Sequence, residues 1–248
     1  MKKILNWQFF LGIFLISLSA FIYYIHYVIF RDAHHIFIYL IGDIAFVFFE
    51  VLLVTLILHQ LLVYREKKAM LKKLNMVIGA FFSEVGTGLM KAFSGFDPQS
   101  PKLAEKLIVE KSWSEKDFFK ARREIRVYKG TVDVRRGNAE GLRSFLKGKR
   151  NFLLTLLENP NLLEHESFTN LLWAVFHLTE ELERRKDLGA LPVTDYEHLS
   201  NDVNRAYKRL LLEWLAYMRH LKRDYPYLFS LAMRTNPFDT NACIEIKK

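Results

Sequence analysis

Residues 7–64 are almost continuously apolar, and beyond residue 65 the apolar positions become periodic. Trp7 to Phe30 is a run of 24 residues with no formal charge. A helix that crosses a bilayer needs roughly 20 apolar residues, so this run predicts a first span. After Arg31-Asp32-Ala33-His34, a second apolar run extends from His35 to about Tyr64. It is long enough to cross with tilt or to project beyond the bilayer. So short a connection predicts an antiparallel helical hairpin. A signal peptide is the weaker reading, because the apolar run continues well past the small residues Ser17 and Ser19.

Past the second run, Leu71, Leu74, Ile78, Phe81 and Val85 recur at helical spacing. With no breaker between, one helix is expected from residue 36 to about 93, a coiled-coil-like continuation of the second span. Gly79 and Ser83 would permit a close helix crossing, and Gly86 and Gly88 a kink or an end. All six prolines fall after residue 97 and punctuate the rest. Ser112-Trp113-Ser114-Glu115 has the spacing of a capping box and predicts a helix to about Tyr128. Residues 128–138 are poorly helical and are expected to hold a short hairpin. Asn138, with Gly141 behind it, precedes a further helix that Asn159-Pro160-Asn161 ends. Leu171, Val175, Leu178 and Leu182 mark another. Val203, Tyr207, Leu210, Trp214, Met218 and Leu221 form a long helical stripe. The expected fold is all-α: a two-span transmembrane hairpin (1–64), a juxtamembrane helix (65–97) and a cytosolic helical bundle (98–248). Its core is expected around Trp173, Phe176, Tyr207, Trp214 and Met218.

Composition sharpens this picture. The chain is 51% hydrophobic and 25% charged, which is compatible only with segregation, and 33 of its 36 Lys and Arg lie beyond residue 64. Disorder, a disulfide-rich secreted module and a wholly soluble protein are excluded. Lys2 and Lys3 precede the hairpin, and Arg65, Lys67, Lys68, Lys72 and Lys73 follow it, while the connection has only Arg31. Basic residues stay on the cytoplasmic side. This places both termini in the cytoplasm of a multi-pass protein of the cell (inner) membrane. The single cysteine, Cys243, reads as an inert thiol in a reducing compartment.

Charge is also divided by segment. Residues 116–150 carry a net +8 and residues 151–202 a net −7. The basic residues Arg122, Arg123, Arg126, Arg135, Arg136, Lys147, Lys149 and Arg150 are candidates to pair with the acidic block or to bind anionic lipid headgroups. Nucleic acid is the disfavoured partner.

Candidate chemistry is sparse. Asp43 and Glu50 lie seven residues apart, two helical turns, so they share one face of the second span. Carboxylates at such depth face protein or water. They are candidates for a cation pathway in a homo-oligomer; the competing reading satisfies them locally, Asp43 against Tyr23 and Tyr24 and Glu50 against Ser17. No phosphate loop, dinucleotide fingerprint, zinc-protease motif or paired-cysteine motif occurs, so neither an enzyme nor a cofactor is expected. His177 lies four before Glu181, His198 four before Asp202, and His165 between Glu164 and Glu166. A metal site would need several of these to converge, so solvated or capping histidines, and no metal, are expected. The functional expectation is an oligomeric, ion-conducting membrane protein with a cytosolic assembly or gating domain. The alternative is a membrane-anchored scaffold without transport or catalysis.

Overall fold

The computed structural model describes residues 2–162 and 165–245. Among them the fold is all-α, with no strand. The chain divides into two compact units, Met1–Lys68 and Ala69–Lys248.

In the first unit, α1 (Lys2–Phe30) and the start of α2 (Ala33–Phe81) are joined by Arg31 and Asp32 alone, so α2 starts two residues before the expected His35. Arg31 takes a left-handed conformation (φ 54°), the usual way to end a helix, and its N–H donates to the Tyr27 carbonyl at 2.9 Å. Asp32 then caps α2, its Oδ1 accepting from the His35 N–H at 3.1 Å. No described side chain of residues 7–68 is buried; Ile16 is 72% and Phe48 76% exposed. By length and composition, α1 and α2 are apolar enough to cross a membrane.

The second unit begins inside α2. Leu74, Ile78 and Phe81 are buried there. A five-residue π turn, Phe82–Gly86, leads into α3 (Thr87–Phe96). Residues 69–96 therefore contribute buried side chains to the core of this unit. The helical path reaches Phe96, past the expected residue 93, and the reason for the π turn is legible in the burial. The pairs Phe81/Phe82, Val85/Gly86 and Leu89/Met90 are buried and recur every four residues. That period exceeds the 3.6 of an α-helix, and the wider π turn restores the register. Gly79 does face a crossing helix: a Cβ there would lie 3.0 Å from the Tyr217 hydroxyl.

The remaining helices are α4 (Ser100–Ala104), α5 (Glu115–Val127), α6 (Ala139–Leu157), α7 (Glu166–Arg184), α8 (Val193–Asp224) and α9 (Pro226–Arg234). Helix α8 is the hub: α3, α5, α7 and α9 pack on it, and α6 packs on α7. Its stripe from Val203 to Leu221 is buried as expected, and so are Leu171, Val175, Leu178 and Leu182 of α7.

Three expectations are corrected. The capping box at the start of α5 is Ser114 with Asp117, not Ser112 with Glu115. Asp117 accepts from both the Ser114 N–H and its hydroxyl at 2.7 Å. This register lets Trp113 pack edge-on against Phe118 at 5.1 Å, a hydrophobic staple across the helix start. Residues 128–138 hold no hairpin but a single 3-10 turn, Val134–Arg136, capped by Asp133. The segment is pinned elsewhere: Asp133 N–H donates to the Phe96 carbonyl at 3.0 Å, and the Tyr128 hydroxyl donates to buried Asp97. Gly137 lies so close to Phe96 that a Cβ would sit 2.4 Å from its ring. Finally, Trp173 is 56% exposed, whereas Phe176, Tyr207, Trp214 and Met218 are buried. Trp173 stands about 200° around the helix from Leu171, on the opposite side from the apolar stripe.

Candidate functional site

Asp43 and Glu50 both lie exposed on α2. Among the described residues neither has a hydrogen-bond or ion-pair partner, and Tyr23, Tyr24 and Ser17 do not supply one.

The basic candidates scatter. Arg122, Arg123 and Arg126 are exposed on α5, Arg135 and Arg136 on the 3-10 turn, and Lys147 on α6. Arg150 reaches the acidic face of α7, 3.5 Å from Glu183 and 4.0 Å from Glu180, with its guanidinium over the Phe176 ring. Lys149 pairs instead with Glu84 at 2.8 Å, and Arg135 is held by its own neighbour Asp133. Arg122, Arg123, Arg126, Arg136 and Lys147 form no ion pair among the described residues.

A different constellation is assembled where α7 meets α8. His177 and Glu181 stand one turn apart on α7, and His198 and Asp202 one turn apart on α8. Asp202 is almost completely enclosed, its side chain 1% exposed. Its Oδ1 accepts from Arg205 at 2.5 Å. Its Oδ2 has no hydrogen-bond partner, yet it lies 3.4 Å from His177 Nε2 and 3.3 Å from His198 Nε2. The three ligand atoms fall within 4.8 Å of one another. Glu181 closes one side, 3.9 Å from His177 Nε2 and 3.6 Å from His198 Nε2. Arg185 in turn clamps Glu181 and Asp195, donating at 2.7 and 2.6 Å. The Arg185 hydrogen bond holds the Glu181 carboxyl below the usual range, against the opposing effect of burial. Both imidazole rings remain half exposed, so solvent reaches the cluster.

The two His-x-x-x-acid spacings are visible in sequence, but their convergence is not. His165 is separate: its Nδ1 accepts from the Phe168 N–H at 3.2 Å and caps α7. Its neighbour Glu164 lies outside the described residues.

A family model described as "Uncharacterized protein MJ1433, C-terminal helical domain" matches residues 70–234. The chain belongs to the MJ1433 family. A second model, "MJ1433, N-terminal helical domain", matches residues 2–62, so the division between the two family domains brackets the one between the two units. The Methanocaldococcus jannaschii protein described as "Uncharacterized protein MJ1433" is 45% identical over 234 residues, which are 94% of each chain. The His–carboxylate cluster falls in the family's C-terminal domain, and Asp43 and Glu50 fall in its N-terminal domain. No solved structure matches the chain.

Proposed function

We propose that this MJ1433-family protein is a two-span integral membrane protein that associates with copies of itself through the α2 face carrying Asp43 and Glu50. The C-terminal helical domain then lies in the cytoplasm and holds the assembly in register. The observation that carries this reading is the state of residues 7–68, where no described side chain is buried. An apolar surface of that extent is stable only in lipid or against other chains. Among the described residues the two carboxylates on that surface have no hydrogen-bond or ion-pair partner, and in hydrocarbon they need protein or water. Several α2 helices around an axis supply both, and acidic rings on a hydrated axis pass cations.

A second reading, an anchored scaffold without transport, is favoured by the C-terminal unit, which has a continuous core of its own from Leu74 to Phe238. Liposome flux decides between them. The purified protein is expected to run as an oligomer in detergent and to release trapped cations. Asp43→Asn with Glu50→Gln should cut the flux and leave assembly intact. Assembly without flux transfers the reading to the scaffold, and a monomer in mild detergent removes self-association altogether.

A further inference from the structure

We propose that His177, His198 and Asp202 form a binding site for a divalent transition metal ion, zinc fitting best, open toward solvent and flanked there by Glu181. Two independent observations carry the site. The first is the chemistry of the donor set: two imidazole Nε2 atoms and one carboxylate oxygen, from two packed helices, lie within 4.8 Å of one another. Imidazole and carboxylate together suit first-row ions such as zinc, which takes three protein ligands and leaves the fourth position for water in open sites. The second is the state of Asp202. An oxygen buried to this degree normally has a hydrogen-bond partner, and its Oδ2 has none. Arg205 occupies Oδ1 at 2.5 Å, which fixes the carboxylate with Oδ2 presented to the two rings. Orientation of a ligand by such a neighbour is a recurring feature of metal sites.

The two carboxylate–imidazole separations agree with a four-coordinate ion. Metal–ligand bonds of about 2.0–2.1 Å at tetrahedral angles separate the ligand atoms by about 3.3–3.4 Å. Asp202 Oδ2 stands 3.4 and 3.3 Å from the two Nε2 atoms. Neither imidazole forms a hydrogen bond to Oδ2; both stand within ion-pair distance of it, so a protonated ring would compete with the metal for that oxygen. Glu181 keeps Oε2 on Arg185, which leaves Oε1, 3.9 Å from His177 Nε2, to accept a hydrogen bond from a metal-bound water. The ion would join α7 to α8 and place an activated water at the domain surface. This site stands apart from the membrane reading and survives its failure.

The test uses the full-length protein in detergent, stripped with a chelator and titrated with zinc chloride by calorimetry. The expected result is one zinc ion per chain. Cobalt(II) in its place should give the intense visible absorption of a four-coordinate ion. H177Q, H198Q and D202N should each weaken zinc binding at least tenfold and abolish that absorption, while H220Q, at a histidine outside the cluster, should bind like wild type. Thermal melts of the stripped variants verify that they are folded; H177Q and H198Q, at half-exposed positions, keep the test decisive if D202N is unstable. Absence of stoichiometric binding overturns the proposal. So does binding that H177Q and H198Q leave unchanged, which would place the ion on exposed acidic groups elsewhere.

Discussion

Trp214 and Trp173 are the same residue type on neighbouring helices of one domain, and replacing each by alanine should have very different consequences. Trp214 is 3% exposed and packs edge-on against Phe238 at 5.3 Å. Truncating a buried tryptophan costs about 3–5 kcal/mol, from lost transfer free energy plus the cavity left behind. For a domain of this size each kcal/mol moves the melting temperature by about 2–4 °C, so Trp214→Ala should lower it by roughly 6–20 °C. Trp173 is 56% exposed, and its removal leaves no enclosed cavity, so Trp173→Ala should cost under about 1 kcal/mol. Thermal melts of the full-length protein in one detergent, followed by circular dichroism, measure both. A Trp214→Ala loss below about 1 kcal/mol, or a Trp173→Ala loss equal to it, would refute the assignment of α8 as the hub and of the outer face of α7 as surface.

Ser114→Ala should cost about 1 kcal/mol because it removes the cap of α5, while Ser112→Ala should be near neutral, a contrast that chemical denaturation resolves. Alkaline stability should depend in part on Tyr207, whose phenol burial pushes up to about 12, alongside Tyr128 and Tyr217, whose phenols burial also raises. The folded pKa of Tyr207 lies above the unfolded value of about 10, so its contribution is complete below pH about 10 and is lost as pH rises toward 12. Tyr207→Phe should flatten that limb of the melting profile. A reporter fused after residue 248 should be active only if it is a cytoplasmic reporter; activity of an externally active one would reverse the inferred topology.

Helices were legible wherever one face alternates with another at constant period, as along α8 from Val203 to Leu221. Legibility failed where a stripe was drawn too wide. Trp173 entered the expected core as part of an apolar stripe at helical spacing, although its position relative to Leu171 and Val175 already set it on the far side of α7. It failed also where two signals competed for one cap. Ser112 and Ser114 both fit a capping spacing, and the choice is made by Trp113 meeting Phe118, a contact one turn into the helix. The His–carboxylate cluster shows the deeper limit. Each His-x-x-x-acid pair is local and common, and a single helix face can present no more than two ligands from such a pair. What makes four donors converge is the rotation of α7 and α8 about their own axes, set by the burial of Leu171, Val175 and Leu178 on one helix and Leu199, Val203 and Ala206 on the other. Those apolar stripes are themselves in the sequence. His177 is one residue before Leu178, and Asp202 one residue before Val203, so each polar group borders the stripe that faces its neighbour. Helices that bury adjacent stripes against each other bring such bordering residues to the seam between them, and the acid nearest the stripe, Asp202, is the one the packing encloses.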